Sequence, residues 1–182
     1  MDRKLLILDL DETLIFAQET EHSTHSDFQC GHYHVQKRPH LDSFLTFCRK
    51  HFEVAVWTSS NASYATCIVQ NIFPEGYPLS FVWSRSKCTT KFDEETWKTA
   101  YIKDLKKVKR LGYLLEQILI IDDSPKKLQR NYGNLIRIKP FEGDSRDDQL
   151  FALIGYLQQL RSVENVREIE KRGWYRHIER KS

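Results

Sequence analysis

Residues Lys4 to Thr13 read KLLILDLDET, and their pattern constrains the architecture of the whole chain. The short apolar run at its start is typical of a strand buried on both faces of a parallel sheet. In open α/β sheets ligands bind beyond the carboxyl ends of the strands, where Asp9 and Asp11 follow this run. Two carboxylates this close repel each other, and a hard divalent cation is the usual compensation. Helix capping in a strand-to-helix turn accounts for the same residues about equally well.

The composition predicts one globular domain over residues 1–182. The chain is 40% hydrophobic and 12% aromatic, which is enough to bury a substantial core. Its formal net charge of +3 is too small to indicate a nucleic-acid partner, although it would not oppose an acidic substrate. No apolar run approaches membrane-spanning length and the start of the chain does not resemble a signal peptide, so we expect no membrane contact.

The cysteines are widely spaced and contain no CxxC pair; they are Cys30, Cys48, Cys67 and Cys88. Three of them lie in apolar patterns where a free thiol acts as a small hydrophobic residue. We therefore expect a reducing compartment, the cytoplasm or the nucleus. Cys30 and its neighbouring histidines lack the spacing of transition-metal ligands, so we expect no such site there. Those histidines are His22, His25, His32 and His34.

Strands and helices alternate along the rest of the chain, which predicts an α/β fold. Buried strands are predicted at 53–57 and 118–121, and further strands at 79–83 and 134–138. Amphipathic helices are predicted after Pro39, after Ser60 and over 148–160, the last capped by Ser145 with Asp148. A hairpin around Gly31 is expected to form a flap within about 14–38. Residues of about 74–100 are expected to form a small insertion beside the sheet. A helical face is predicted from Tyr101 to Leu111, and a helical tail over 164–182 with Trp174 and Tyr175 packed down.

Polar side chains follow two of these predicted strands. The strand EVAVW ends in Thr58, Ser59 and Ser60, just before a helix N-terminus, and such hydroxyls suit phosphate binding. Thr58 is the candidate ligand, and Ser59 or Ser60 is predicted to cap the helix. The strand ILII ends in Asp122 and Asp123, so a second apolar strand is followed by paired carboxylates, as at Asp9 and Asp11. Capping could explain either carboxylate pair, but consistency between the two pairs favours a shared site.

Four segments in this order, LDLDETL, WTSS, YIKDL and IIDDSP, resemble the motifs of the haloacid dehalogenase (HAD) superfamily of phosphotransferases. More narrowly, KRPHLDSFL leading to EVAVWTSS resembles the FCP/SCP-like, NLI-interacting-factor-like small phosphatases, which act on the C-terminal domain of RNA polymerase II. The resemblance covers nearly the whole chain. It implies a doubly wound parallel sheet with helices on both faces, and the gaps between motifs leave no room for a large cap domain.

The resemblance also implies a reaction, in which Mg²⁺ supports phosphate transfer to a protein carboxylate. Asp9 would be the nucleophile that forms an aspartyl phosphate, and Asp11 the acid and base. Metal ligands would be Asp9, the backbone carbonyl of Asp11, and Asp123, an oxygen set that suits magnesium. Lys103 would hold the phosphate and Asp122 would steady that lysine. Close relatives often carry Asn where this chain has Asp123.

Further substrate contacts are implied at Thr58, Ser59, Thr13 and Arg85, with Lys87 beside Arg85. Lys103 is chosen on the segment YIKDL, because spacing alone cannot separate it from Lys106 and Lys107.

Three functions follow from these residues and the resemblance. The first is a phosphatase for phosphoserine or phosphothreonine in a protein or peptide. The second is a non-catalytic binding module, as in relatives from a mitochondrial protein translocase. The third is a phosphatase for a small metabolite or a nucleic-acid end, since one fold serves all of these. We expect the first, acting as a monomer with Mg²⁺.

Overall fold

The architecture is that of a computed structural model, which describes residues 3–19, 26–94 and 97–179. The strands are β1 (Leu5–Leu8), β2 (Ile15–Gln18), β3 (Phe28–Cys30), β4 (Tyr33–Lys37), β5 (Glu53–Trp57), β6 (Leu79–Trp83), β7 (Thr89–Asp93), β8 (Lys98–Ile102), β9 (Ile118–Asp122) and β10 (Leu135–Arg137). The α-helices are α1 (Leu41–His51), α2 (Ala62–Ile72), α3 (Lys106–Lys109), α4 (Gln149–Leu160) and α5 (Trp174–Glu179).

Five parallel strands form the central sheet, in the order β10, β9, β1, β5, β6. The opening strand β1 lies in the middle, with Leu8 paired to Val56 of β5 on one side and to Ile121 of β9 on the other. The residues that follow these three strands therefore meet at one edge of the sheet. The predicted α/β fold with a parallel sheet is confirmed.

Alternate residues of the central strands point to opposite faces and are buried on both. In β1, Leu6 and Leu8 pack with α1, α2 and α4, whereas Leu5 and Ile7 pack against the other face. That second face is covered by shorter segments that contribute Leu105, Val108 and Leu128. Burial on both faces explains why these strands are continuous apolar runs rather than alternating ones.

A three-stranded antiparallel sheet, in the order β2, β4, β3, follows the first strand. Gly31 lies in the β3–β4 turn with a φ of 64°, a conformation that glycine adopts without strain. The predicted flap hairpin is confirmed, and it carries the additional strand β2. In the described residues no large cap domain accompanies this flap.

Two predictions for the middle of the chain are wrong. Strand β6 lies in the main sheet, paired with β5, and is not beside it as part of an insertion. Residues 98–102 form strand β8, paired with β7, so the predicted helical face from Tyr101 to Leu111 shrinks to the single turn of α3. Leu111 is 54% exposed. The apolar spacing matched a helix, but cross-strand pairing of β7 and β8 determined the backbone conformation.

The helix caps also differ from the prediction. The N-cap of α2 is Asn61, whose Oδ1 accepts a hydrogen bond from the Tyr64 N–H at 2.9 Å, and neither Ser59 nor Ser60 caps this helix. Helix α4 has Asp148 at its N-cap, where the neighbouring Asp147 Oδ1 accepts from Gln149 N–H at 3.1 Å, instead of the predicted cap by Ser145. A short carboxylate or amide side chain reaches the free N–H groups as well as serine does.

The prediction of free thiols is wrong for two cysteines. Cys30 of β3 and Cys67 of α2 form a disulfide, with their Cα atoms 5.9 Å apart, whereas Cys48 and Cys88 are free and buried. The two cysteines are 37 positions apart, and only the packing of the flap on α2 brings them together, so the sequence pattern did not predict this disulfide. A disulfide removes the cysteine argument for a reducing compartment. Of the four histidines considered above, His22 and His25 lie outside the described residues.

The tail packs on the main sheet through Trp174, which is 3% exposed. Its indole stacks on Tyr156, and its Nε1–H donates to the Arg137 carbonyl at 2.7 Å. The packing predicted for Trp174 is confirmed, although the described tail is helical only at Val166–Glu168, as a 3₁₀ turn, and in α5. Residues 180–182 lie outside the described part. Among the described helices none has the length and apolar character needed to cross a membrane.

Candidate active site

Asp9 lies at the carboxyl end of β1, in the centre of the sheet edge. Its N–H donates to the Ile121 carbonyl at 3.0 Å, which continues the pairing with β9 and brings it beside Asp122. The side chain is only 1% exposed. A carboxylate this deeply buried needs cations or hydrogen-bond donors to remain ionised.

Two lysines supply that compensation. Lys103, which is fully buried between β8 and α3, has its Nζ 2.9 Å from Asp9 Oδ1 and donates to Asp122 Oδ2 at 2.5 Å. Lys127 Nζ donates to the other oxygen, Asp9 Oδ2, at 2.8 Å. Burial alone would raise the pKa of Asp9, but the charges of Lys103 and Lys127 outweigh it and hold that pKa below its usual value. Asp9 is therefore an anion at neutral pH.

Three carboxylates can hold a metal at this edge. Asp9, Asp122 and Asp123 each offer an oxygen, and these oxygens lie within 4.8 Å of one another. Burial and the charge of Asp9 raise the pKa of Asp122, and Asp123 Oδ1 is buried without a hydrogen-bond donor in the described residues. Clustered hard oxygens of this kind fit magnesium. The carboxylate of Asp11 is not part of this cluster, so its expected contribution through the backbone carbonyl stays a prediction.

Asp11 faces the start of α2 instead. Its two oxygens accept hydrogen bonds from Ser60 Oγ at 2.8 Å and from Tyr64 Oη at 2.7 Å. The turn that carries it is closed by N–H groups of Thr13 and Leu14, which donate to the Leu10 carbonyl. Burial and the neighbouring Asp11 raise the pKa of Tyr64, which keeps its hydroxyl protonated as a donor. Asp11 is thus oriented by two hydroxyls while remaining partly accessible.

Thr58 and Ser59, two of the residues predicted to contact the substrate, follow the end of β5, and a third, Arg85, follows β6. Thr58 is fully buried, and its Oγ1 accepts from the Ser60 N–H at 3.0 Å. The Ser59 carbonyl accepts from Arg85 Nε at 2.7 Å, and the Arg85 guanidinium lies over the Tyr101 ring at 4.9 Å. Arg85 is exposed beside the strand ends, where an anion could reach it.

Thr13 contributes to a structural clamp. Its carbonyl accepts from Nη1 of Arg38 at 3.0 Å, and its buried hydroxyl has no hydrogen-bond partner among the described atoms. Arg38 is 1% exposed and also binds both oxygens of Asp147, each at 2.8 Å, and the Lys139 carbonyl at 2.8 Å. The turn around Asp11 is therefore tied to the segment that precedes α4.

Sequence reasoning missed four residues that shape this site: Ser60, Tyr64, Lys127 and Arg38. Tyr64 falls within the amphipathic helix predicted after Ser60, a pattern that gives no sign of a contact with Asp11, and Ser60 is predicted only as a cap. Lys127 lies four positions after Asp123 in the run PKKL, and that spacing was the available signal. Among the basic residues left open by spacing, Lys103 reaches Asp9, whereas Lys107 Nζ donates to the Lys87 carbonyl at 2.8 Å.

The fold is shared with HAD-like hydrolases and with an RNA polymerase II CTD phosphatase. The chain matches a fission yeast structure described as Fcp1-R271A bound to beryllium fluoride with a TM-score of 0.59 and 18% identity, covering 98% of this chain and 62% of that one. A second structure of Fcp1 matches with a TM-score of 0.61 and 16% identity, over the same shares of the two chains. A phosphatase domain of the Bacteroides fragilis protein BF1531, complexed with Mg, matches with a TM-score of 0.51 and 14% identity, covering 91% of this chain and 42% of that one. At 14–18% identity, these similarities establish a shared fold.

Sequence similarity narrows the class further. A model of the NLI interacting factor-like phosphatase family matches residues 4–167. The chain belongs to this family of phosphatases. The resemblance inferred from the sequence motifs is thereby confirmed.

Three named relatives are 30–32% identical to this chain over the matched residues. CTD nuclear envelope phosphatase 1 of Xenopus tropicalis is 30% identical, covering 96% of this chain and 74% of the relative. Nuclear envelope morphology protein 1 of Saccharomyces cerevisiae is also 30% identical, but there the match covers 92% of this chain and only 41% of the relative. A probable C-terminal domain small phosphatase of Dictyostelium discoideum is 32% identical, covering 90% and 53%. The chain thus spans between two fifths and three quarters of these proteins.

Proposed function

We propose that this chain hydrolyses phosphomonoesters with Mg²⁺ through an aspartyl phosphate, and that its substrates are phosphoserine or phosphothreonine in a protein or peptide. One observation carries the proposal: Asp9 is a buried anion at the strand ends, held between two lysines and beside two further carboxylates. Membership of a phosphatase family supports the reaction class.

Asp9 is the nucleophile in this reaction. Its ionised oxygen attacks phosphorus, a bond to the leaving alkoxide breaks, and the phosphate is carried on the carboxylate until water removes it. Lys103, whose Nζ lies 2.9 Å from Asp9 Oδ1, provides positive charge where negative charge accumulates on the transferring group. Asp122 fixes the position of that ammonium through its hydrogen bond.

Asp11 is the general acid and base. It gives a proton to the leaving alkoxide in the first step and takes one from water in the second. Its hydrogen bonds from Ser60 and Tyr64 fix the carboxylate at the start of α2, two residues from Asp9 in the sequence. A non-catalytic binding module would not need these two acids in these positions.

Asp9, Asp122 and Asp123 would hold Mg²⁺, and the ion would neutralise charge on the phosphate oxygens when bound. The protein residues orient the reacting groups, whether the substrate is a peptide or a smaller molecule. Asp123 adds one negative charge compared with the Asn of many relatives, and Lys127 adds one positive charge next to it.

The names of the relatives support a phosphoprotein substrate, since several are described as CTD phosphatases. Beyond the flap strands and the paired strands β7 and β8, the described residues contain no large cap domain. A polypeptide lying across the site can itself exclude water, which a sugar phosphate cannot do as well. Thr58, Ser59, Thr13 and Arg85 are the proposed substrate-side residues.

A cytoplasmic or nuclear location and a monomeric state are further proposals. The frog and yeast relatives carry the nuclear envelope in their names, which supports the nuclear alternative. The Cys30–Cys67 disulfide gives no support to a reducing compartment.

Hydrolysis of a generic aryl phosphate tests the proposed reaction. The purified protein should release phosphate with Mg²⁺ and stop when a chelator is added, and Zn²⁺ should substitute poorly. Asp9→Asn should abolish turnover while a circular dichroism spectrum shows the fold retained. Full activity in excess chelator, or in Asp9→Asn, would falsify the aspartyl-phosphate mechanism.

A further inference from the structure

Lys127 lies where a metal ion would be expected to bind. Its Nζ is 2.8 Å from Asp9 Oδ2, 3.6 Å from Asp122 Oδ1 and 3.7 Å from Asp123 Oδ1. These three residues are the ones whose oxygens could hold a metal. The ammonium of Lys127 and a divalent cation are therefore attracted to the same group of carboxylates.

The two lysines of the site differ in how they are held. Lys103 is fully buried and lies against Asp9 Oδ1 and Asp122 Oδ2. Lys127 contacts the remaining oxygens, Asp9 Oδ2 and Asp122 Oδ1, and its side chain is 21% exposed. It belongs to a 3₁₀ turn, Pro125–Leu128, directly after the two acids. A route to solvent exists for Lys127 and not for Lys103.

Charge explains why a second lysine is present. Three carboxyl groups meet two ammonium groups in this cluster, so the acidic groups outnumber the basic ones when no metal is bound. The Lys127 ammonium lies between Asp9 and Asp122, where its charge offsets the repulsion among the carboxylates. Lys127 keeps three crowded carboxylates together before any metal arrives.

Magnesium and the Lys127 ammonium compete for the same oxygen. Mg²⁺ approaches carboxylate oxygens to about 2.0–2.1 Å, and a dication bound to Asp9 Oδ2 would repel the ammonium that lies 2.8 Å from the same atom. We propose that Lys127 is a resident counter-ion of the metal site, which Mg²⁺ must displace, so that this residue sets the metal affinity. The inference rests on the proposed function only in taking Mg²⁺ as the metal.

Lys127→Met tests the inference, because it removes the charge and keeps a side chain of similar length. Mg²⁺ binding to chelator-treated protein, measured by titration calorimetry, should be tighter by at least about tenfold, or about 1.4 kcal/mol. Metal-free Lys127→Met should unfold at a lower temperature than the unmodified protein, and Mg²⁺ should raise its Tm by a larger increment. Lys126→Met is the matched control, since it makes the same change at the exposed neighbour and should bind Mg²⁺ like the unmodified chain.

A labelling experiment on the unmodified protein covers the case in which metal-free Lys127→Met does not fold. Acylation of lysines with an amine-reactive reagent, followed by mass spectrometry, should show Lys127 more reactive after Mg²⁺ is added and Lys126 unchanged. Equal or weaker Mg²⁺ binding by Lys127→Met, or labelling of Lys127 that does not rise, overturns the inference.

The failure of this inference differs visibly from failure of the proposed function. Mg²⁺ binding that tightens in Lys127→Met, in a protein that hydrolyses no phosphomonoester, would support the counter-ion and reject the phosphatase. Hydrolysis with unchanged Mg²⁺ affinity in the variant would support the phosphatase and reject the counter-ion.

Discussion

At the scale of single residues, the site combines groups that the motifs indicate with groups that only the fold reveals. Asp9 and Asp11 follow a buried run and could be selected from sequence because the strand-end rule places them at a ligand edge. Lys103 needed a family resemblance, since three basic residues have equivalent spacing. For Lys127 the only sequence signal is its position four residues after Asp123, because its role depends on a turn that folds its side chain back over Asp9.

Asp11→Asn separates the two acids. The variant keeps Asp9 and its lysines but loses the proton shuttle, so turnover of a phosphoserine peptide should fall by about 10²- to 10⁴-fold. The loss should be smaller for an aryl phosphate, whose leaving group needs little protonation. Steady-state kinetics on both substrates provide the measurement. Equal losses on the two would mean that removal of the phosphate from Asp9 limits both, or that Asp11 has another role.

Tyr64→Phe removes one of the two hydroxyls that orient Asp11. A hydrogen bond to a charged group contributes about 1.5 kcal/mol, so kcat on a phosphoserine peptide should fall by about tenfold. The loss should again be smaller for an aryl phosphate, as with Asp11→Asn. Tyr77→Phe is the control, because the Tyr77 hydroxyl binds the Leu45 carbonyl on α1. An equal loss in both variants would indicate a general effect on folding rather than on Asp11.

At the scale of elements, the local sequence pattern predicted the strands that are buried on both faces of the sheet. It failed where contacts with another segment determine the backbone conformation. Strands β1, β5 and β9 were recognisable as continuous apolar runs. The end of strand β8 was included in a predicted helical face because apolar residues from Tyr101 to Leu111 have helical spacing, whereas pairing with β7 determines the backbone there. The Cys30–Cys67 disulfide was missed because it joins the flap to α2 across 37 positions.

Removing this disulfide should destabilise the protein. In the loop-entropy account a bridge across this separation is worth about 2–4 kcal/mol, so Cys67→Ser should lower the Tm measured by differential scanning calorimetry. A reducing agent should lower the Tm of the unmodified protein by a similar amount and leave that of Cys67→Ser unchanged. If the reductant shifted both proteins equally, the effect would not come from this bridge.

At the scale of the whole molecule, the described residues contain no large cap domain, and this bears on substrate size. We expect kcat/KM on a phosphoserine or phosphothreonine peptide to exceed that on free phosphoserine and on sugar phosphates by at least about tenfold, some 1.4 kcal/mol of binding energy from residues beyond the phosphate. The experiment is a comparison of kcat/KM across such a panel, with end-phosphorylated oligonucleotides included. A sugar phosphate or a nucleotide at the top of the ranking would contradict the proposed substrate class and leave the reaction chemistry intact.

The contacts of Arg38 with the Thr13 carbonyl and with Asp147 limit when the site can form during synthesis on the ribosome. The segment with Asp9 and Asp11 is synthesised before the residues that it contacts, since Arg38 holds its turn by binding Asp147, 109 positions later, and Asp9 pairs with Lys127, 118 positions away. A nascent chain that carries Asp9 and Asp11 cannot assemble the surrounding site until Asp147 has left the exit tunnel. We therefore expect unfinished chains released earlier to lack the site, although they contain the first motif.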